Sequence, residues 1–265
     1  MKISIFNWNL NGIRALLKKQ VYQIDTDISI NFEEFVTANN FTIVSLQETK
    51  INDIHLIDHV LPDYNYRYST VTKNSRSGVT VLSKLKALHV TYDLNVSNNL
   101  QFKGRCVHLE FDIFHYIAVY QPNSGAGLKT LKFRTEEWDP KFKEYLEKIR
   151  NGPTAKELII SGDFNVVQNE LGSYNFKQQR NKIAGVTDIE MYNFKVLTHA
   201  LDLEIVPNKR FTYFTYLFKS RESGKGMLID YFLVTAKLFK KVKKMEVLSD
   251  VYGSDHIPLL LEIEV

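Results

Sequence analysis

Four short apolar runs end in the same way, and that repetition constrains the fold more than any other feature. "ISIFNWNLNG" passes from Ile3 and Ile5 to Asn7, Asn9 and Asn11. "TIVSLQETK" ends in Gln47 and Glu48, "YIAVYQPN" in Tyr120 and Asn123, and "LIISGDFN" in Asp163 and Asn165. One polar strand end is a turn. Four predict a shared sheet edge on which acids, amides and a phenol converge, and sheet proteins build their sites at strand ends. "YGSDHIPLLLEIEV" is the mirror case, with Ser254, Asp255 and His256 ahead of its strand. An antiparallel strand would bring that beginning beside the other strands' ends. "MLIDYFLV" places Asp230 within an apolar run. A buried carboxylate there needs a partner, and His256 is the natural one.

Strands are expected at 2–8, 42–47, 78–83, 105–111, 115–120, 157–161, 229–234 and 257–264 from period-two or fully apolar runs. Between some of them lie helical patterns. "VTDIEMYNFKVLTHALDL" opens with Thr187 and Glu190 at capping-box spacing. "WDPKFKEYLEKIRNG" has Asp139 as expected N-cap, Pro140 in the first turn and Gly152 past the end. "INFEEFVTANN" is a shorter amphipathic helix. Many strands with only some helical crossovers predict mixed sheets.

With 265 residues, 12 Gly, 6 Pro and no low-complexity linker, one domain over 1–265 is expected. Cys106 is the sole cysteine, which excludes an intrachain disulfide and argues against a thiolate zinc site. A reducing intracellular setting fits, cytoplasm in a prokaryote or nucleus in a eukaryote. The first ten residues reach Asn7 too early for a signal peptide, and no run of about 18 apolar residues marks a membrane span. A net charge of +4 is compatible with a polyanionic partner but weak support for one. Basic residues gather at Lys73/Arg76, Lys103/Arg105, Arg180/Lys182 and in "KLFKKVKK" at 237–244, the last expected as a solvated amphipathic face.

Together, Glu48, Asp163, Asp230, Asp255, His256, Tyr120, Asn9, Asn11, Asn123 and Asn165 form a hard, oxygen-rich set with one imidazole and no thiol. It suits Mg²⁺, or Mn²⁺ in its place, rather than zinc. Amides and a phenol donate well to phosphate oxygens, so the implied chemistry is metal-assisted hydrolysis of a phosphate ester. Taken singly, each residue has a plain structural reading: a turn Asn, a core Asp, a structural His. The joint pattern outweighs those readings, because independent turns would not choose hard-ligand types at every end.

"NWNLNGIRA", "LQETK", "YQPN", "GDFN", "FTYFTY", "LIDYFLV" and "GSDHIP" occur in an order that resembles the endonuclease/exonuclease/phosphatase superfamily. With "RTEEWDPKFKEYL" and "AGVTDIE" the chain is most similar to the exonuclease III type of apurinic/apyrimidinic (AP) endonuclease, along essentially its whole length. The resemblance implies an α/β four-layer sandwich, two mixed β-sheets face to face with flanking helices. It implies a Mg²⁺-dependent cut 5′ to an abasic site that leaves a 3′-hydroxyl, with accompanying 3′-phosphodiesterase or 3′→5′ exonuclease activity. The expected partner is double-stranded DNA with an abasic or 3′-blocked lesion, met by a monomer.

By motif, the resemblance makes Glu48 the main metal ligand, with Asn9, Asn11 and Asp255 near it. Asp163, Asn165 and His256 would offer a second position. Asp163 would orient or deprotonate water, Asn165 would hold water and phosphate, and His256, steadied by Asp230, would contact the scissile phosphate. Tyr120 and Asn123 would donate to phosphate oxygens. DNA contacts are implied at Tyr213, Met227, Ile229, Leu217, Arg76, Arg180 and Lys182, the first three lining a pocket for an extruded sugar. The chain departs from some members at Met227-Leu228, where they carry Trp-Arg, at Ala126, where they carry an inserted Arg, at Ile183, where an Asn is frequent, and at Asn11, where some have an acid. The alternatives are a phosphatase or phosphodiesterase of the same fold acting on a non-DNA substrate, and a non-catalytic DNA-binding paralogue.

Overall fold

A computed structural model describes residues 1–23, 28–70, 77–95 and 100–265. Its first six-stranded sheet runs in the order β13-β14-β1-β4-β6-β5 and its second in the order β11-β12-β10-β9-β8-β7. In chain order the strands are β1 (Lys2–Asn9), β2 (Gln20–Gln23), β3 (Ile28–Asn31), β4 (Ile43–Gln47), β5 (Tyr66–Ser69), β6 (Val79–Ser83) and β7 (His89–Tyr92). They continue with β8 (Cys106–Glu110), β9 (Phe114–Tyr120), β10 (Glu157–Asp163), β11 (Leu203–Ile205), β12 (Asp230–Thr235), β13 (Val242–Val247) and β14 (Leu259–Glu264). β2 and β3 form a separate hairpin. The helices are α1 (Ile13–Leu16), α2 (Phe32–Asn39), α3 (Asp139–Asn151), α4 (Phe176–Gln179), α5 (Asp188–Ala200) and α6 (Ala236–Phe239).

The pleat sorts each central strand into two faces. On β1, Ile3 and Ile5 join Val107, Tyr116, Ile159 and Phe232 in a core between the two sheets. Phe6 and Trp8 point the other way, into a second core closed by Phe32 and Phe35 of α2. On the far side, Leu158 and Ile160 of β10 meet Phe142 and Leu146 of α3 and Phe194 and Leu197 of α5. Three apolar seams therefore separate four layers, helix–sheet–sheet–helix, as the resemblance implied.

Both sheets are mixed. β1 pairs with β4 in parallel and with β14 antiparallel. β10 pairs with β9 in parallel and with β12 antiparallel. This arrangement gathers the polar termini. Asn9 lies opposite Gln47, and Asp163 lies between Tyr120 and Asp230. The beginnings of β12 and β14 thus reach the edge where β1, β4, β9 and β10 finish.

Several boundaries differ from the sequence-based expectation. Asp139 is not an N-cap: residues 131–138 already run helically into α3, with Phe133–Trp138 as a π-helical segment. The Asp139 carboxylate instead accepts from Arg134 Nε at 2.7 Å. Asp230 begins its strand rather than sitting inside it, and β14 starts at Leu259, beyond Pro258, which lacks the N–H a ladder needs. "KLFKKVKK" divides into α6 and the edge strand β13, whose Lys243 and Lys244 remain exposed. Charged side chains on an edge discourage pairing with another chain. Short β5, β7 and β11 carry too little periodicity to stand out. No described helix is long and apolar enough to cross a membrane.

Candidate active site

A cleft of about 440 Å³ opens where the polar strand ends converge. Its floor includes Glu48, Tyr120, Asp163 and His256. Inner-facing pleat positions supply the floor: Asn9, Tyr120 and Asp163 sit two residues beyond Asn7, Ala118 and Ser161 on their strands. Just beneath, a polar belt joins the sheets. Ser161 Oγ donates to Asn7 Oδ1 at 2.9 Å, Gln47 Nε2 donates to the same oxygen at 2.9 Å, and Tyr116 O–H lies 2.6 Å from Ser161 Oγ. The belt fixes the two sheets relative to each other directly under the site.

Close backbone approach explains the glycine of "SGDFN". A Cβ on Gly162, at φ 153°, would stand 1.8 Å from the Val119 carbonyl oxygen. After the strands end, the backbone turns sharply. Asn11, Glu48 and Asn165 adopt φ of 51°, 48° and 49°. Left-handed backbone is uncommon for residues other than glycine, and it aims their side chains back over the strand ends.

The central contacts link both sheets. Asn9 Nδ2 donates to Glu48 Oε1 at 3.0 Å and to Asp163 Oδ2 at 2.9 Å. His256 places Nδ1 2.9 Å from Asp230 Oδ2 and Nε2 3.8 Å from Asp163 Oδ2. Asp163 also accepts from Asn165 N at 2.8 Å and from Asn165 Nδ2 at 3.2 Å. Asn123 Nδ2 donates to Asn165 Oδ1 at 2.8 Å. Asn11 Nδ2 donates to Asp255 Oδ2 at 3.1 Å. Every catalytic or metal position inferred from the sequence is therefore in this one polar cluster or, for Tyr120, on its floor.

Electrostatics divide the cluster. Burial pushes the Asp163 carboxyl up to about 8, with the neighbouring Asp230 and Glu48 adding to it against the pull of His256. Burial alone would lower His256, but Asp230, Asp163 and Asp255 outweigh it and push the imidazole up to about 10. Glu48 is lowered: burial acts upward, and the hydrogen bond and charge of Lys50 more than offset it. Burial also raises the Tyr120 phenol far above its usual range, so it stays a neutral donor.

Ligand atoms of Glu48, Asp163 and His256 lie within 4.8 Å of one another. Lys50 Nζ sits 2.9 Å from Glu48 Oε2 and also donates to Asn11 Oδ1. An ammonium held by these oxygens is itself a sign that the place attracts a cation. The donor chemistry, carboxylates and amide oxygens around one imidazole, fits a hard divalent ion.

Sequence reading missed three supporting residues. Lys50 follows Glu48 closely, but only the turned backbone brings the two side chains together. Arg134, 1% exposed, grips the loop after β9 by donating to the Pro122 carbonyl at 2.6 Å, to Gln121 Oε1, and to the Phe164 carbonyl at 2.9 Å. Arg105 lies over the Tyr120 ring at 5.2 Å. The expected outer contacts fare unevenly. Tyr213, Met227, Ile229 and Lys182 line the cleft, as do Ala126 and Ile183. Tyr213 sets its ring 4.9 Å from that of His256. Leu228 packs away from the cleft, into the seam under α5. Leu217 stands on an exposed turn outside the cleft lining, beside Phe218, and Arg180 is ion-paired with Asp188 at 2.7 Å. Arg76 and Lys73 lie outside the described residues.

A two-sheet sandwich with carboxylates, amides and a carboxylate-bound histidine at one mouth defines a class of hydrolase. The chain belongs to the Endonuclease/Exonuclease/phosphatase family, which matches residues 6–256, and within it to the AP endonuclease and exonuclease III-like enzymes. It is 31% identical to an exodeoxyribonuclease of Bacillus subtilis across 99% of this chain and 100% of that one. It is 30% identical to a DNA-(apurinic or apyrimidinic site) endonuclease of Dictyostelium discoideum across 100% of this chain and 71% of that one. A crystal structure of an AP endonuclease from Leishmania major shares the fold with a TM-score of 0.81 at 22% identity, covering 100% of this chain and 88% of the other.

Proposed function

We propose that this chain is a single-domain, monomeric DNA-repair nuclease. It hydrolyses the phosphodiester 5′ to an abasic site in duplex DNA, leaves a 3′-hydroxyl, and trims blocked 3′ ends as a secondary activity. The observation that carries this reading is the meeting of Glu48, Asp163 and His256 within 4.8 Å at the mouth of the sandwich. It is supported by the match to AP endonucleases and exodeoxyribonucleases over the whole chain.

The roles follow from position and charge. Asp163, raised to about 8, is suited to take a proton from water near neutral pH, where a general base works best. Asn165 holds the Asp163 carboxylate in place through its backbone N–H and Nδ2, and lines the cleft beside it. The water oxygen bonds to phosphorus, the bond from phosphorus to the upstream 3′ oxygen breaks, and that oxygen takes a proton from solvent to leave as the hydroxyl, while the proton held by Asp163 returns to solvent. His256 stays protonated, because its pair with Asp230 holds it up to about 10, and so presents a positive N–H to a phosphate oxygen. Tyr120 and Asn123 donate to the same group as its charge grows. Glu48, with Asn9, Asn11 and Asp255 around it, would hold Mg²⁺ or Mn²⁺, which supplies Lewis-acid charge to the phosphate; Asp163 and Asn165 could offer oxygens to a second ion, which His256 would join only after giving up its proton.

Selectivity is a matter of what fits. Tyr213, Met227 and Ile229 give the cleft an apolar wall beside His256. A sugar without a base can enter such a space, and unpaired positions are the least costly to extrude. The test is incision of a duplex carrying a tetrahydrofuran abasic analogue, beside an intact duplex, with Mg²⁺ or with EDTA. Metal-dependent incision confined to the analogue is expected. Hydrolysis of inositol or lipid phosphates alone would move the protein to another branch of the family.

A further inference from the structure

Glu190 is fully buried, and among the described residues no Lys, Arg or His is ion-paired with it. It sits at the third position of α5, where it completes the capping box with Thr187. The capping box accounts for its bond from Thr187 N at 3.3 Å. It does not account for the others. Ser124 Oγ donates to Oε1, while Gly185 N at 2.9 Å and Thr187 Oγ1 at 2.7 Å donate to Oε2. The charge is held by these donors and by the helix N-terminus rather than by a cation.

Those donors belong to two separate loops that line the cleft. Ser124 follows Asn123 and precedes Gly125, Ala126 and Gly127, which line it from one loop. Gly185 follows Lys182, Ile183 and Ala184, which line it from the other. Gly185 is itself pinned against the floor. Its carbonyl accepts from Val167 N at 2.9 Å, and a Cβ at its φ of +80° would stand 2.8 Å from the Asn165 carbonyl oxygen. One carboxylate therefore fixes the separation of two loops whose facing residues are mostly small.

We propose that Glu190 and Ser124 form a positioning clamp that sets the spacing of two loops lining the cleft and thereby decides which extruded group the site admits. The proposal rests on the reading of the chain as an abasic-site nuclease and adds the device that makes it selective. Ala126, Gly127 and Ala184 offer little side chain with which to reject a normal nucleotide, so backbone spacing does the rejecting. Neither Glu190 nor Ser124 needs to touch the substrate.

Ser124→Ala is the informative variant, because it removes one loop's tether and leaves the capping box intact. On one enzyme preparation, the ratio of kcat/KM for the abasic-analogue duplex to that for an undamaged duplex is expected to fall about tenfold, equivalent to about 1.4 kcal/mol of discrimination. Loss of folded protein would lower both rates together and leave the ratio alone. Hydrogen exchange read by mass spectrometry supplies an arm that needs no substrate. Segment 183–187 is expected to exchange faster in Ser124→Ala, along with 123–128. Glu190→Gln can keep its amide oxygen on the Gly185 and Thr187 donors and offer its NH2 to the Ser124 hydroxyl, so it should show both effects more weakly than Ser124→Ala. An unchanged ratio in an active protein, or faster exchange confined to 123–128, overturns the clamp. A wild-type protein inert on abasic duplexes would overturn the proposed function, and the exchange arm would still decide whether the clamp exists.

Discussion

Strand β9 begins beside one buried histidine system and ends beside another, and the first is neutral where the second is charged. At its start, His115 and His108 of β8 are 1% and 8% exposed; near its end, His256 is 4% exposed. Burial is the same and does not explain the difference. His115 Nε2 lies 2.8 Å from the Thr154 carbonyl, which can only accept, so that nitrogen carries the proton. His115 Nδ1 then accepts from His108 Nε2 at 2.9 Å, and His108 Nδ1 accepts from the Tyr145 hydroxyl at 2.7 Å. Each ring holds one proton and is neutral, and burial pushes His108 down to about 4. His256 has carboxylates at both nitrogens and is pushed up to about 10. A buried histidine is an architectural link or a charged participant according to whether a carbonyl and a phenol, or carboxylates, take its second nitrogen.

Removing charge at the cleft should separate the two ends most sharply. Asp163→Asn keeps the shape of the floor but cannot take a proton, and it should lower the incision kcat by about 10³-fold, within the range for losing a positioned base. The same change relieves a buried, unfavourable carboxylate, so the urea midpoint should stay level or rise. A variant that keeps a tenth of wild-type activity would remove Asp163 from the reaction. Glu48→Gln should raise the Mg²⁺ concentration for half-maximal incision by more than tenfold, and a direct titration with a luminescent lanthanide should weaken in step. Asp230→Asn should lower kcat by about 10²-fold and shift the alkaline fall of kcat/KM to lower pH, because His256 loses the partner that holds its proton. His108→Gln, at the other end of the same sheet, should leave incision within about twofold. An equal loss in both variants would erase the distinction between the two histidine systems.

The cleft is largely legible in the sequence because its signals are local. Apolar runs that stop at Asn9, Glu48, Tyr120 and Asp163 state where each strand ends, and a polar group placed ahead of β14 states which way that strand runs. The Asp230–His256 pair could be inferred from the need of a core carboxylate for a partner, and it is present at 2.9 Å. What stayed hidden depends on backbone conformation or on distant packing. Lys50 reaches Glu48 because both residues adopt left-handed φ, 53° and 48°, which no spacing rule announces. Arg134 is invisible as a loop anchor because its partners Gln121, Pro122 and Phe164 belong to other segments. Asp139 looked like a helix start because Pro140 follows it. The π-helical segment carries the helix past that signal, and Asp139 pairs with Arg134 five positions earlier on the same helical run. Ser124 and Glu190 are likewise 66 positions apart, and only the fold joins them.

The smallest effect tests the architectural end by itself. His108 has its folded value near 4 against an ordinary 6.5, so the native state resists a proton that the unfolded chain accepts. Stability from this group is present above pH 6.5 and is lost as pH falls toward 4. Between pH 7 and pH 4.5 the loss should be about 2 kcal/mol, the larger part of the roughly 3 kcal/mol that the full drop from 6.5 to about 4 is worth. Glu110 is also lowered, held by Lys156 at 2.7 Å, but its contribution disappears only below the ordinary carboxylate range, so it leaves this window to histidine. His256 has the reverse sign: its stabilisation is complete below 6.5 and fades as pH rises through about 10. Urea unfolding of wild type and His108→Gln at both pH values reads the His108–His115 pair, since Asp163 and His256 contribute equally to the two proteins. The wild-type curve should fall more steeply than the variant's. Parallel curves would mean that the His108–His115 link accepts a proton without cost, and that the contrast between the two ends of β9 is not one of charge.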